Sequence, residues 1–516
     1  MLMKTKTIIL SIIGMVLACA CSSKLDIPQH GVITTSTYYK TDADAEGAVT
    51  AIYAALAGRE LSDHIVLGLL SDDMWAGATT YTSFHTYNDF SFDADESYLA
   101  SFFTEHYNVI GRCNILIDNV QPDTEFKARC IAEAKVARAW MYFSLTALWG
   151  NPPLVDHTLS ADEAKVGNST PEMLWKFIED NLNEAISSGA LTSKSSLDDK
   201  SNYRLTREFA YALLGKALLW QRKYADAADA LENVIGSHLY KLFDGAYGDM
   251  CLAVNDNNCE SLFESNYILD DANPGACGRL YPMVSSISYS TRTTSDNSLN
   301  LNYAGWGMCT PTMSLYDAFV AEEGADGYRL NQTLKTYAFM QANGYGLISG
   351  SQEQAEGLFM WKQRYQMDDT GAGFPLDWCS NIRWMRYAEV LLLAAEANLE
   401  AGRQDKADTY LNEVRTRAQL PWKAASLEAI KTEKRLELCG ESCRYLDVLR
   451  WGDAPALWAE RGATFPYLQS DGSIKQVPQS QTYGFKTGKH EYLPYPYAER
   501  LVNPNLQQNP GWIKTN

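Results

Sequence analysis

The sequence lacks the short motifs that mark most hydrolases and nucleotide-binding enzymes. It contains no H-E-x-x-H motif, no Walker phosphate loop and no G-x-S-x-G nucleophile elbow, and His490-Glu491 has no second histidine. No pair of cysteines has the tandem C-x-x-C spacing of a zinc site. These absences favour a protein that is not an enzyme and binds no catalytic metal.

A glycoside hydrolase is the alternative that missing motifs do not exclude. Such an enzyme needs two carboxylates about 5 Å apart, or about 6.5–9.5 Å apart for inversion. The chain has 63 acidic residues, so the sequence cannot single out one pair. Asp72 and Asp73 are adjacent, and we expect their side chains to diverge. Catalysis is therefore the less favoured interpretation.

Clusters of positive charge and long apolar runs are also missing. The formal net charge is −19, and Lys and Arg are not clustered, which argues against nucleic acid and anionic lipid headgroups as partners. After Ala20 no apolar run reaches the roughly 20 residues that a membrane-spanning helix needs. The apolar content of 46% is ample for a large core.

The first twenty residues have the pattern of an export signal. Two lysines precede an apolar run of about eleven residues, Ile8–Ala18, which is too short to cross a bilayer. Cys19 and Cys21 follow small residues, as in bacterial lipoproteins, and two or more acyl chains anchor a protein stably. We predict a signal peptide at 1–20 and lipidation at Cys21, which borders a polar segment. An ordinary secretory signal is the alternative.

Nine of the 11 cysteines lie beyond Cys21. An exported protein is expected to pair some of them, but nine is an odd number and they are widely spread. Cys251 and Cys259 flank a loop that a disulfide would close. Cys439 and Cys443, four apart in a helical stretch, fit equally well as two buried apolar residues. The sequence leaves the pairing open.

Helical periodicity recurs in pairs of segments joined by short turns. In each pair, alanine and larger apolar residues repeat at helical spacing, and turn residues such as Gly150 or Gly402 end the first helix. Arg386 and Glu389, three apart on a predicted helix, are expected to form an ion pair. Segment lengths match tetratricopeptide-like units of about 34 residues. The predicted pairs are 132–149 with 170–186, 207–221 with 225–235, and 385–400 with 405–418.

Two long segments between the helical blocks show no helical period. Residues 72–92 and 239–307 are rich in Ser, Thr, Asn, Gly and aromatics, which predicts loops with short strands. Long structured insertions in a compact domain are usually functional. The chain also has 13 Trp and 30 Tyr. Most of these rings must be core, but exposed ones are suited to stacking on sugars.

A series of local motifs occurs in one order from residue 21 to residue 512. Cys21 is followed by Leu25-Asp26 and Pro28, and the long helix near residue 140 ends in Gly150-x-x-Pro153-Leu154. The C-terminal half contributes Asp-Gly-Tyr-Arg at 326–329, Arg-Tyr-Ala-Glu-Val-Leu-Leu at 386–392, Lys-Arg-Leu-Glu-Leu at 434–438, Leu-Pro-Tyr-Pro at 493–496 and Gln-Asn-Pro-Gly-Trp at 508–512. Together these motifs resemble the SusD/RagB family of outer-membrane glycan-binding lipoproteins.

The resemblance implies a mainly α fold, a tetratricopeptide-like helical-repeat scaffold with long loop-rich and short-strand insertions. It divides the chain into a signal peptide at 1–20, an N-terminal helical region at 21–235 and a C-terminal region at 236–516. It implies a lipid-anchored outer-membrane protein that binds oligosaccharide or polysaccharide and delivers it to a SusC-like TonB-dependent transporter. No acidic run of the kind associated with surface export follows Cys21, yet display on the cell exterior remains the expectation.

The resemblance also implies where glycan binds. Family members use aromatic and polar side chains from the loop after an Asp-Asp segment and from an insertion before a Leu-x-Asp-Ala-Phe helix, here at 315–319. Aromatic faces pack on sugar rings, and polar groups sort the hydroxyls. The corresponding residues are Asp72, Trp75, Tyr81, Tyr281, Tyr289, Asn302, Tyr303 and Trp306.

Two further possibilities stay open from the sequence. A helical-repeat scaffold usually presents a concave face to protein, so the chain could bind only protein. A structural calcium ion could lie near 256–260, although solvated loop residues explain that segment equally well. No other cofactor is expected.

Overall fold

A computed structural model describes residues 38–77, 82–270, 290–301, 307–347, 350–369, 378–479 and 482–512. About 49% of the structure is helical and strands are few, which confirms the predicted mainly α fold. The helices are α1 (Asp42–Gly58), α2 (Glu60–Leu69), α3 (His85–Asn88), α4 (Ser97–Asn119), α5 (Glu125–Trp149), α6 (Pro171–Ser187), α7 (Arg207–Trp220), α8 (Tyr224–Ile235), α9 (Met313–Glu323), α10 (Tyr328–Thr333), α11 (Tyr337–Ala342), α12 (Tyr387–Glu400), α13 (Gln404–Arg417), α14 (Leu427–Leu438), α15 (Arg444–Trp451), α16 (Ala454–Leu457) and α17 (Tyr497–Val502).

The strands are short and pair antiparallel in small sheets. β1 pairs with β4, β2 with β9, β3 with β6 and β5 with β8, while β10 lies between β7 and β11. Their bounds are β1 (Met74–Trp75), β2 (Ser261–Ser265), β3 (Ser290–Arg292), β4 (Thr310–Pro311), β5 (Leu334–Thr336), β6 (Tyr345–Leu347), β7 (Ser351–Glu353), β8 (Leu358–Met360), β9 (Ile382–Arg386), β10 (Thr464–Gln469) and β11 (Ile474–Pro478).

The three predicted helical pairs are present, as α5 with α6, α7 with α8 and α12 with α13. α8 also packs against α12, so the second and third pairs are neighbours in space. α5 begins earlier than predicted because the side chain of Thr124 caps it, accepting from the amide of Lys127 at 3.1 Å. α12 begins at Tyr387 because the preceding residues form β9.

A close approach fixes the pair α7 and α8. Gly215 lies in α7, and a Cβ atom built there would lie 2.5 Å from Cγ of Leu231, which is fully buried in α8. Separations this short force atoms to move, and a buried leucine has little room. Glycine is therefore required at this position by packing.

Gly215→Ala is expected to lower the free energy of unfolding by about 1–2 kcal/mol, because overpacking outweighs the gain in helix propensity. Gly111→Ala is the matched control, since Gly111 lies inside α4 with nothing within 4 Å of the added Cβ. That control is expected to stabilise by up to about 1 kcal/mol. Urea denaturation measures both. Equal effects of the two substitutions would contradict the packing argument.

A cluster of buried ion pairs joins Glu260, which directly precedes β2, to β9, α13 and α14. Arg386 donates to carboxylates of Glu260 and Glu437, each at 2.6 Å, and of Glu441 at 2.7 Å. The prediction that Arg386 pairs with Glu389 is wrong. Arg386 ends β9 rather than lying on α12, so Glu389 pairs instead with Lys216 at 2.7 Å.

Seven cysteines are free thiols: Cys113, Cys130, Cys251, Cys259, Cys309, Cys439 and Cys443. Cys251 and Cys259 do not close their loop, and Cys439 and Cys443 are both buried. The interpretation of the latter two as small apolar residues is therefore confirmed. Cys277 lies outside the described residues.

One hydrophobic core extends from Ala45 to Leu506 and takes residues from both predicted regions. A smaller cluster lies around Tyr337, Met340 and Phe359. The division of the chain at residue 235 stays a prediction. No helix in the described ranges combines the length and apolar character needed to cross a membrane.

Candidate functional site

The two segments predicted to carry the site are hydrogen-bonded to each other. In the β1–β4 ladder, Met74 lies opposite Pro311 and Trp75 opposite Thr310. Thr312 extends the contact, because its amide donates to the Asp73 carbonyl at 2.9 Å and its hydroxyl donates to the Asp72 carbonyl at 2.7 Å. The same hydroxyl caps α9, the helix of the predicted Leu-x-Asp-Ala-Phe motif.

The ladder ends where two glycines meet. A Cβ on Gly77 would lie 2.5 Å from the carbonyl oxygen of Gly307, so the two backbones touch there. Gly307 has φ 59°, a conformation that favours glycine. The predicted site residues Tyr81, Tyr281, Tyr289, Asn302, Tyr303 and Trp306 lie outside the described residues. Residues 78–81 follow Gly77, and residues 302–306 precede Gly307.

Trp75 is held from several sides and is only 8% exposed. Its Nε1 donates to the Glu356 carboxylate at 2.9 Å, and that carboxylate also accepts from the amide of Met313 at 2.6 Å. The ring centroid of Phe465 lies 5.9 Å away in an edge-on arrangement. These contacts anchor the ladder through the ring, and glycan contact by Trp75 stays a prediction.

Asp72 and Asp73 converge on one guanidinium, because Arg435 pairs with Asp72 at 3.3 Å and with Asp73 at 2.8 Å, so the prediction that their side chains diverge is wrong. Asp72 accepts from Nε and Nη2 of Arg444 at 2.8 and 3.0 Å, while Asp73 accepts from Nε of Arg435 at 2.8 Å. Burial alone raises the pKa of Asp72, but Arg435 and Arg444 outweigh it and hold that pKa below its ordinary value. Asp72 thus ties the ladder to α15, and its contact with ligand remains a prediction.

Arg461 contacts both residues of β1, which the sequence did not indicate. Its Nη2 donates to the Met74 carbonyl at 2.6 Å, and its guanidinium lies 4.7 Å from the centroid of the Trp75 ring. Burial lowers the pKa of Arg461 to about 10, and it makes no ion pair with any described residue. Arg461 is far from Trp75 in the sequence and belongs to no sequence motif, so no local pattern predicts their contact.

The candidate calcium segment is occupied by protein contacts. Asp256 pairs with Arg383 at 2.9 Å, and Glu260 pairs with Arg386 and Arg417. Within the described ranges no group of three His, Cys, Asp or Glu side chains could hold a metal ion. Arginine side chains therefore occupy the positions around these carboxylates where a calcium ion would bind.

Two family models match the chain. One, described as the SusD family, matches residues 340–512, and one described as "Starch-binding associating with outer membrane" matches residues 36–219. The SusD model covers the predicted C-terminal motifs from residue 386 onward, and the other model covers the predicted helical pair 132–149 with 170–186. The chain belongs to the SusD family.

Curated SusD relatives match over nearly the whole chain. A SusD-like protein from Formosa agariphila is 24% identical over 98% of this chain and 99% of its own length. A SusD-like protein from Bacteroides ovatus is also 24% identical, over 98% of each chain. The match is thus to whole SusD-like proteins.

Solved SusD-like structures share the fold. A structure titled "Laminarin binding SusD-like protein" is 28% identical with a TM-score of 0.77, covering 92% of this chain and all of that one. Surface glycan-binding protein A from Bacteroides thetaiotaomicron, in complex with laminarihexaose, is 24% identical with a TM-score of 0.74, covering 91% and 100%. The second comparison shows the fold alone.

Proposed function

We propose that this SusD-family protein binds an oligosaccharide or polysaccharide at the bacterial cell surface. The observation that carries the proposal is the β1–β4 ladder, which joins two segments that are far apart in sequence and that the family resemblance assigns to the site. The solved relative at 28% identity is named for laminarin binding, which supports a glycan as the ligand class.

The ladder gives the proposed site a rigid base. Backbone bonds, the Glu356 carboxylate and the Asp72–Arg444 pair fix the described ends of both segments. Tyr81 and Trp306 are within five residues of these ends along the chain. A rigid base reduces the conformational entropy that is lost when a ligand binds. We propose that aromatic rings from residues 78–81 and 302–306 stack on sugar rings there.

The carboxylates at the ladder support binding rather than hydrolysis. A glycosidase needs one carboxyl group as a general acid and a second carboxylate as nucleophile or base. Asp72 and Asp73 are paired with arginines, and Glu356 accepts from Trp75 and the Met313 amide. We therefore propose that the protein captures glycan without cleaving it.

A polysaccharide panel tests the function. In native gels that contain laminarin, starch or xylan, migration of the purified protein is expected to be retarded by at least one polysaccharide relative to a gel without it. Reducing-sugar release should stay at the blank level. Equal migration in all gels would contradict glycan binding, and release of reducing sugar would favour the hydrolase alternative.

We further propose that Cys21 carries the lipid anchor and that the captured glycan passes to a SusC-like transporter in the outer membrane. The apolar run Ile8–Ala18 and the polar segment after Cys21 support the anchor. The family description that names the outer membrane supports the location. A binding protein held at the membrane by lipid remains close to any transporter there.

Cys21→Ser is expected to abolish incorporation of radiolabelled palmitate and to move the protein from the membrane fraction to the soluble fraction. The thioether to diacylglycerol cannot form on serine, and stable anchoring needs two or more chains. Cys19→Ser is the matched control and should label normally. Loss of label from Cys19→Ser, with Cys21→Ser unaffected, would contradict the assignment.

A further inference from the structure

A second cleft lies between the loop of residues 91–95 and the C-terminal segment of residues 489–512. Its volume is about 910 Å³, within the range of roughly 300–1,000 Å³ typical of small-molecule sites. We call it the C-terminal cleft. Its lining includes Asp93, Asp95, Lys489, Tyr497, Arg500 and Trp512.

Hydrogen bonds fix the walls of the C-terminal cleft. The amide of Tyr497 donates to the carbonyl of Ala94 at 2.9 Å, which joins the two walls. Nε1 of Trp512 donates to the carbonyls of Lys489 and Tyr492, both at 2.9 Å. Gln508 is buried and exchanges two hydrogen bonds with the backbone of Tyr495. The cleft is therefore preformed.

Charged groups line the cleft without pairing. Asp93, Asp95, Lys489 and Arg500 form no ion pair with any residue that the structure describes, although most buried charges elsewhere in the protein do. Burial lowers the pKa of Lys489, and the carboxylate of Asp93 acts in the opposite direction. Two carboxylates and two cations give no net charge. This balance favours a neutral ligand with many hydroxyl groups over an anion.

Aromatic rings supply an apolar surface beside these charges. Tyr497 is 56% exposed, which leaves a ring face free for the C–H face of a sugar. Trp512 also lines the cleft, with the Lys489 ammonium 4.1 Å from its ring centroid and the Phe92 centroid 5.2 Å away. An exposed ring next to mixed donors and acceptors is the combination that saccharides require.

One chain segment connects this cleft to the site at the ladder. Asn88 holds β1, because its Nδ2 donates to the Met74 carbonyl at 3.0 Å and its Oδ1 accepts from the Ala76 amide at 2.8 Å. Asp93 is five residues further on, so its Cα lies at most about 18 Å from that of Asn88. A polysaccharide of several sugar units is long enough to span this distance.

We propose that the C-terminal cleft is a second saccharide-binding site, which holds part of the same neutral polysaccharide that the first site captures. The inference rests on the proposed function for its ligand class. Two linked contacts raise the apparent affinity for a long chain above that of either contact alone. Short oligosaccharides, which reach only one site, gain nothing from the second.

Tyr497→Ala tests the second site in the same gels with laminarin, starch or xylan. Its apparent affinity for the retained polysaccharide is expected to fall roughly tenfold, the effect of losing one strong aromatic contact. Tyr203→Ala is the matched control, since Tyr203 is 54% exposed and does not line the cleft. It should bind as the unsubstituted protein does.

Hydroxyl-radical footprinting gives a second measurement on the unsubstituted protein. The bound polysaccharide is expected to protect Tyr497 and Trp512 from oxidation and to leave Tyr203 unchanged. If a polysaccharide retards the protein but does not protect Tyr497 and Trp512, and if Tyr497→Ala binds normally, the second site is overturned. The proposed function is then left intact. Failure of the unsubstituted protein to bind any of the three polysaccharides would overturn both.

Discussion

Glu437→Gln is expected to lower the free energy of unfolding by about 3–5 kcal/mol, the usual effect of removing one partner from a buried ion pair. Glu437 is fully buried on α14 and accepts from Arg329, Arg386 and Arg417. Glutamine keeps the size of the side chain but not its charge. Three buried guanidinium groups would then share fewer carboxylates.

Urea denaturation followed by circular dichroism measures this effect. Glu428→Gln is the matched control, because Glu428 lies exposed on the same helix and has no ion pair among the described residues. It is expected to change stability by less than about 0.5 kcal/mol. Similar small effects of both substitutions would show that the buried cluster contributes little to stability.

The same cluster sets how stability responds to acid. Burial raises the pKa of Glu437, but Arg417, Arg386 and Arg329 outweigh it and hold the pKa well below its usual value. A carboxyl group with a lowered folded pKa contributes stability that is complete above its unfolded pKa, about 4.3, and is lost as the pH falls below that value. Glu437→Gln should therefore flatten the acid limb of the Tm–pH curve.

Trp306→Ala is expected to weaken binding to the retained polysaccharide by roughly 30-fold, the effect of removing a dominant aromatic contact. Trp306 directly precedes Gly307, whose carbonyl meets Gly77 at the end of the ladder. The substitution removes a predicted stacking surface and leaves the described contacts of the ladder in place.

Trp422→Ala provides the control for this second prediction. Trp422 is 68% exposed and lies in the loop after α13, apart from the ladder. Its removal should leave binding unchanged, as measured by retardation in the polysaccharide gel. Equal loss of binding in both variants would indicate a non-specific role of exposed rings, and no loss in Trp306→Ala would remove Trp306 from the site.

The helical scaffold was largely predictable because its signals are local. Periodicity located α7, α8 and α13 within a few residues, and Thr170 caps α6 as predicted, accepting from the Met173 amide at 3.3 Å. The ion pair predicted for Arg386 is wrong because its actual partners are not local in sequence. Its partners Glu260 and Glu437 come from distant segments, whereas helical spacing considers only neighbours such as Glu389.

The candidate site was predictable only as two separate segments. The sequence and the family resemblance marked both, but the register that places Trp75 opposite Thr310 joins residues far apart in the chain. No local pattern encodes such pairing. The same reason explains why Arg461 was missed and why the sequence did not indicate that Trp75 is almost fully buried.

A crystal structure of the protein with a bound oligosaccharide from the retained polysaccharide tests the central claim most directly. We predict that sugar-ring carbons lie within about 4.5 Å of aromatic side chains from residues 78–81 and 302–306, above the β1–β4 ladder. Sugar bound only elsewhere on the molecule, with these two segments free of ligand, would contradict the assignment of the glycan site to the ladder.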